Sequence, residues 1–446
     1  MKKMIGIDQL MELVRRKDTS VAPVYHSLPE KLKRKMISGM DAYEARLLTN
    51  ALKSAKEKLL IETDKKIIKL SRTSFHTPIY LIDETVLRDN MLMLKYVKDR
   101  TGCRIFHALK AYATFATFPM MNKYLDGVCA SGLNEARLGR EEFGKEVHTF
   151  AAAYRKDDFN STLKYSDSII FNSFYQLKTF GPLARKNNRQ IGLRVNPGYA
   201  EVSIDMYNPC TPASRLGVTS DKFYKEFDRH RKLIDGLHFH ALCEQGADVL
   251  ERVLNSFERL FGRYIGGLQW VNFGGGHHIT GLNYDVELLI KLINEFKKKY
   301  NVQVYLEPGE ASVLNAGFLI STVLDVVENQ CRTAILDTSA EAHMPDVLLM
   351  PYRPNVVNSG LAGEKEHTYR LAGPTCLAGD VIGEYSFDRP LKRGDRLVFT
   401  DMALYSIVKN TTFNGIDLPS IGIVNSVGKI RVARRFGYED YRNRQS

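Results

Sequence analysis

Apolar residues follow two different patterns along this chain of 446 residues. Between about residue 100 and residue 310, eight short apolar runs recur: Cys103–Leu109, Gly127–Ser131, Val147–Ala153, Ser168–Phe171, Gln190–Pro197, Asp235–Leu242, Leu268–Gly274 and Gln303–Pro308. Most are separated by amphipathic stretches, such as Ala247–Phe261 and Asp285–Tyr300. The runs therefore read as strands and the stretches as helices. Eight such units predict an α/β fold, a (β/α)8 barrel spanning residues 85–320. An open doubly wound sheet is the alternative, but it rarely holds eight regular units.

After Glu310 the helical period fades. Ser321–Val327, Arg332–Leu336, Tyr369–Ala372 and Arg396–Thr400 read as strands with Gly, Pro and Asp between them, so residues 321–446 are expected to form a C-terminal all-β domain. The lone strand Pro78–Ile82 could serve either domain; residues 76–84 are grouped with the β-domain. Residues 1–75 read as a helical extension. Ser27-Leu-Pro-Glu30 suggests an N-cap with proline in the first turn, and Asp41-Ala-Tyr-Glu44 has capping-box spacing. Leu48, Leu52, Ala55 and Leu59 then recur as one apolar stripe.

Composition narrows the class. Apolar residues make up 44% and charged residues 26%, the profile of a globular chain with ample core. No apolar run reaches the ~18–20 residues of a membrane span. Asp8 and Glu12 interrupt the place where a signal peptide would need its apolar region. The net charge is +12, but residues 1–75 carry 17 basic against 9 acidic side chains, which is +8 of it. A nucleic-acid role would rest on that segment alone, and a solvated helical face is the expected reading. The six cysteines show no metal or disulfide spacing and point to free thiols in the cytoplasm.

In a barrel of this kind, reactive groups sit where strands end. The first strand ends in His107-Ala-Leu-Lys110, the sixth in His238-Phe-His240, the seventh in Gly274-Gly-Gly-His277-His278 and the eighth in Glu307-Pro-Gly-Glu310. A lysine closing a buried strand is expected to be desolvated and nucleophilic. Three glycines let backbone N–H groups approach an anion. A carboxylate can keep a ring nitrogen protonated, and an imidazole can stack on a flat ring. Each feature alone has an ordinary structural explanation. Together they match the needs of pyridoxal phosphate. His277 and His278 have no third ligand at helical or hairpin spacing, so no metal is expected.

The segments TPIYLID, HALKAY, CASGLNEARLG, GLHFHALCEQ, NFGGGHHIT, LEPGEA, ILDTSAEAHMPDVL, MPYRP, GPTCLAGDVIGEY and TFNG make the family resemblance plain. Over roughly residues 77–416 the chain resembles the fold-type III, alanine racemase-like, pyridoxal-phosphate decarboxylases, and within them the carboxynorspermidine/carboxyspermidine decarboxylases. The resemblance implies that Lys110 carries the cofactor, His240 stacks on its ring, Gly274, Gly275 and Gly276 bind its phosphate, and Glu307 pairs with its ring nitrogen. Tyr405 would contact the phosphate. Cys376 would be the acid that protonates the substrate carbon, acting in the site of a neighbouring subunit, so a homodimer with interfacial active sites is implied. Cys243 and Glu244 stand where related enzymes often have Gly-Ser near the phosphate.

Related diaminopimelate and ornithine decarboxylases carry EPGR where this chain has Glu307-Pro-Gly-Glu310. Reversing that charge favours a cationic amine over an anion. Asp346 is a second carboxylate expected near the substrate, and Asp337 a weaker third. The implied substrate is a small carboxylated polyamine. The alternatives are a diaminopimelate-type amino-acid decarboxylase and a non-catalytic pyridoxal-phosphate-binding relative.

Overall fold

The computed structural model describes residues 7–16 and 21–446. Parts of the expected helical extension, residues 1–6 and 17–20, lie outside the described residues. Contacts divide the chain into two units. One holds residues up to Glu57 with 90–110 and 117–312, and the other holds 58–89, 111–116 and 313–446.

The first unit is a closed parallel barrel. Its strands are β2 (Arg104–Ala108), β3 (Gly127–Ala130), β4 (Glu146–Phe150), β5 (Ser168–Phe171), β6 (Gln190–Arg194), β7 (Gly236–His238), β8 (Trp270–Asn272) and β9 (Gln303–Leu306). Each falls inside one of the eight apolar runs except β4, which starts one residue earlier. β9 closes onto β2 through Arg104 opposite Tyr305. The interior is filled rather than open: Phe106, Ile170, Trp270 and Tyr305 form a buried cluster, and His148 stacks on Phe106 at 3.9 Å. The Trp270 indole explains Gly236 on the adjacent strand, where an added Cβ would come within 2.1 Å of the ring.

The second unit is a sheet in the order β13-β12-β11-β10-β1-β15-β16, with β14 paired to β10. The strands are β1 (Ile79–Asp83), β10 (Gly317–Asn329), β11 (Cys331–Leu336), β12 (His367–Ala372), β13 (Val381–Phe387), β14 (Arg396–Thr400), β15 (Ser420–Val424) and β16 (Ile430–Arg434). β1 lies antiparallel to β10 and parallel to β15, which settles the lone PIYLI strand in the sheet. β10 begins at Gly317, opposite Ile82, so residues 313–320 go with the sheet and not with the barrel. Short helices at Ala340–His343, Asp346–Leu349 and Tyr438–Arg442 also interrupt this domain.

Residues 1–75 do not form a unit of their own. The helix Ala42–Ser71 contributes its first half to the barrel unit and its second half to the sheet unit. Its capping box forms as the spacing predicts: the Glu44 amide donates to Asp41 Oδ1 at 2.8 Å, and the Asp41 amide to Glu44 Oε2 at 3.4 Å. Leu48 and Leu52 are buried. Beside them, buried Lys56 donates to Asn90 Oδ1 at 2.6 Å and to the Thr280 carbonyl at 2.5 Å, and Thr49 donates to Glu287 at 2.8 Å. Part of the basic surplus is therefore structural. Ser27 departs from expectation: it ends the helix Val21–Ser27, its hydroxyl donating to the Val24 carbonyl, and Pro29 stands at the N-cap of the next helix.

Candidate active site

Strand ends of the barrel converge on one cavity, lined among others by Lys110, Arg194, His238, His240, Gly275 and Glu307. Glu307, just past β9, is its buried anion. Asn272 Nδ2 donates to its Oε1 at 2.7 Å, and His238 Nε2 is 3.4 Å from Oε2. Burial alone would raise the Glu307 pKa. The facing His238 and the Asn272 amide outweigh burial and hold it at about 2, so the carboxylate stays ionised.

His240 is the neutral partner. Burial, then the nearby Lys110 and Arg194 charges, hold its pKa well below the usual histidine value. The Gly275 amide donates to its Nδ1 at 2.9 Å, which leaves the ring proton on Nε2 and fixes the plane of the imidazole. The glycine run has a packing cause as well. Gly274 and Gly276 have positive φ, +72° and +80°, and a Cβ on either would strike the backbone of Phe239 or Leu242 within 2.4 Å. The β7 and β8 loops thus meet backbone to backbone. Two of the three amides are already used, since Gly274 N–H donates to Asn272 Oδ1 at 2.8 Å and Gly275 N–H to His240. Among the described residues no hydrogen bond engages the Gly276 amide, which leaves it the donor best placed for an anion.

Lys110 follows β2 in a turn and is exposed. Its side chain lines the cavity, but burial does not supply the desolvation expected of a strand-closing lysine. Arg194 and Asn272 were not singled out by the sequence reading. Arg194 is buried at the end of β6, its guanidinium 4.5 Å from the Phe150 ring centroid. Burial lowers its pKa to about 10, with Cys210 and Glu307 opposing, so it stays charged. The signal was present in GLRVNPG, a cation ending an apolar strand.

Glu310 lies in the same unit, buried, with His278 Nε2 3.4 Å from its Oε2. Glu244 joins this pair. His278 therefore does meet further ligand-type groups, from other loops, which spacing along the chain could not reveal.

The remaining expected residues belong to the sheet unit. Cys376 is exposed, and its amide donates to Asn414 Oδ1 at 2.7 Å, giving the TFNG segment a purpose. Buried Asp380 holds the same loop: its Oδ2 accepts from Thr375 Oγ1 at 2.6 Å, and its Oδ1 from the Ala340 amide at 2.7 Å. The Tyr405 amide donates to the carbonyl of Ala111, next to Lys110, at 2.9 Å. Asp346 pairs with Lys409. Asp337 is a correction: Thr77 Oγ1 donates to its Oδ2 at 2.6 Å, and Ser321 Oγ and the Thr322 amide to its Oδ1 at 2.7 and 2.8 Å. Both oxygens are engaged inside the sheet, so it is not available to bind a substrate amine.

This donor set fits pyridoxal phosphate: an amine for the aldehyde, an ionised carboxylate for the ring nitrogen, a neutral imidazole for the ring face and an unengaged amide at a glycine turn for the phosphate. A family model described as pyridoxal-dependent decarboxylase, C-terminal sheet domain, matches residues 24–403. A carboxynorspermidine/carboxyspermidine decarboxylase of Campylobacter jejuni is 45% identical over 376 residues, covering 82% of this chain and 97% of that protein. A carboxyaminopropylagmatine decarboxylase of Synechocystis is 42% identical, covering 83% and 96%. The crystal structure of carboxynorspermidine decarboxylase complexed with norspermidine, from Campylobacter jejuni, superimposes with a TM-score of 0.77 at 43% identity, covering 83% of this chain and all of that one.

Proposed function

This chain belongs to the pyridoxal-dependent decarboxylases, and on that basis we propose that it decarboxylates carboxynorspermidine, carboxyspermidine or both to the free polyamine. The observation that carries this reading is the cavity, which sets a cofactor-type lysine, a neutral imidazole and an ionised carboxylate together. A diaminopimelate-type reading draws on more distant relatives, diaminopimelate decarboxylases of 22–24% identity. A carboxylated agmatine derivative is a second reading, favoured by the name of the 42% relative.

Pyridoxal phosphate, when bound, supplies the electron sink that accepts the pair left as CO2 departs. Lys110 Nζ would hold the cofactor through its aldehyde. Glu307 holds a proton on the ring nitrogen, a task its ionised state supports. His240 presents a neutral face to the ring, and the Gly276 N–H, with Tyr405, holds the phosphate. Cys376 Sγ delivers a proton to the substrate Cα in the site of a second copy, so the working form is a homodimer. Its exposed loop position supports that reading. Glu310 attracts the cationic arm of the substrate; Asp346, which is paired with Lys409, does so only where the arm displaces that lysine. The six cysteines, all free of disulfides, support a cytoplasmic location. Among the described residues no helix is long and apolar enough to cross a membrane.

Product analysis tests the reaction. Purified holoenzyme is incubated with carboxynorspermidine, carboxyspermidine, carboxyaminopropylagmatine and diaminopimelate. Norspermidine or spermidine formation is expected. CO2 release from diaminopimelate alone would overturn the reading.

A further inference from the structure

Lys56 lies upstream of Thr77, where the family motifs begin, on the half of helix Ala42–Ser71 that belongs to the barrel unit. It is only 4% exposed. Burying an ammonium is costly unless its N–H donors meet acceptors. Docking the helix does not require that cost, since Leu48 and Leu52 are buried on the same half and Thr49 is bonded to Glu287.

The acceptors show what this lysine holds. Nζ donates to the carbonyl of Thr280 at 2.5 Å and to Asn90 Oδ1 at 2.6 Å. Thr280 stands four residues after Gly276 on the loop that follows β8, and its Oγ1 donates to the Ala311 carbonyl at 2.7 Å. Asn90 Nδ2 donates to the Ser312 carbonyl at 3.4 Å. Ala311 and Ser312 belong to the short helix Glu310–Val313, which follows β9. β8 and β9 are the seventh and eighth barrel strands, and the loops after those two strands are where barrels of this kind hold phosphate. One ammonium thus ties both loops to a helix outside the barrel.

The β8 loop needs such a hold. Gly274 and Gly276 both have positive φ, and glycine leaves the backbone free to take other conformations. Upstream of Gly276 the Gly274 and Gly275 amides are fixed by Asn272 and His240. Downstream, the His278 amide donates to the Gln245 carbonyl at a longer 3.3 Å, and Lys56 with Thr280 secures the remainder.

We propose that Lys56 is a positioning residue for the cofactor phosphate, fixing the loops after β8 and β9 so that the Gly276 N–H points at it. The proposal rests on the phosphate lying at the Gly276 turn, as read above.

The test uses holoenzyme and reads the cofactor, not turnover. Equilibrium dialysis followed by visible absorbance gives the Kd of pyridoxal phosphate, and phosphorus NMR gives the resonance of its bound phosphate. Lys56→Met is expected to raise Kd about tenfold, the worth of one well-aimed hydrogen bond, and to shift the resonance. Lys56→Gln keeps a polar end, is expected to raise Kd about threefold, and decides the matter if Lys56→Met does not fold. Thr49→Val is the control. It loses the bond to Glu287 on the same helix, so the urea midpoint should fall while both cofactor readouts stay at wild type. A folded Lys56 variant with wild-type Kd and resonance overturns the proposal, as does equal weakening in Thr49→Val. Gly276→Ala, whose Cβ would lie 2.0 Å from the Leu242 carbonyl oxygen, tests the phosphate placement separately. Unchanged cofactor affinity there overturns the placement; weakened affinity there, beside an unaffected Lys56 variant, overturns the positioning alone.

Discussion

Replacing Asp380 isolates what holds the Cys376 loop in place. This buried carboxylate joins two segments of the sheet unit. Oδ1 accepts from the Ala340 and Glu341 amides at 2.7 and 3.4 Å, and Oδ2 from Thr375 Oγ1 and N at 2.6 and 3.3 Å. Gly373 packs so closely that a Cβ there would lie 2.2 Å from Oδ2. Asp380→Ala removes all four acceptances and strands two amides in the first turn of Ala340–His343. Two good charged hydrogen bonds at about 1.5–3 kcal/mol each, less the relief of a buried charge, give a loss of about 2–4 kcal/mol. Asp380→Asn keeps the shape; its amide can face Thr375, whose hydroxyl turns to accept, so the loss should be nearer 1 kcal/mol. Urea unfolding measures both. If Asp380 also positions the proposed acid, Asp380→Asn should lower kcat about tenfold in otherwise native protein. The same change on a Cys376→Ala background should lower kcat no further. Thr375→Val, which removes only the hydroxyl donor, should show the same dependence on Cys376. A folded Asp380→Ala protein of unchanged midpoint would refute the structural reasoning. Equal kcat losses with and without Cys376 would refute the positioning.

Other outcomes follow from single residues. Lys110→Ala should abolish the visible absorbance of bound cofactor; a persisting band would move the attachment point elsewhere. Glu307→Gln should lower kcat about a hundredfold, because a neutral amide cannot hold the ring proton, with cofactor still bound. Acid stability should fall in two windows. Buried His277 and His343, at about 4 against 6.5, bind protons more readily unfolded than folded, so stability drops as pH falls from 6.5 toward 4. Glu307, depressed to about 2, contributes stability above its ordinary value near 4.5 that is lost as pH falls toward 2. Urea midpoints of Glu307→Gln and wild type should converge across that second window, and parallel curves would contradict it. Lys56→Met should destabilise by about 2 kcal/mol or more, since it leaves the Thr280 carbonyl and Asn90 Oδ1 without their buried donor; an unchanged melting transition would show the helix docks by its leucines alone.

What the sequence revealed and what it hid divide along the range of the interactions involved. The barrel was legible because each strand repeats the same local cue, an apolar run closed by turn residues, eight times. The capping box at Asp41 and Glu44 was legible for the same reason, being a contact three residues apart. The cavity was legible at its strand ends, where chemistry follows directly from topology. The spent amide of Gly275 was not, because its acceptor, His240, becomes a neighbour only when β7 and β8 pair side by side. Two of the three strands missed in the sheet unit lack the local cue altogether. Val381–Phe387 carries Gly383 and Glu384 at its centre, and Ile430–Arg434 alternates with arginines, so neither reads as an apolar run, although each pairs antiparallel with the strand just before it in the chain. Asp337 shows the same limit from the other side. An acid in a family-like segment reads as a substrate ligand until Thr77, some 260 positions away, is seen to donate to it. Glu244 and His278 sit on two loops and Glu310 opens the short helix Glu310–Val313, a combination for which no spacing rule exists. A cluster of that kind can be recognised only after the barrel has closed.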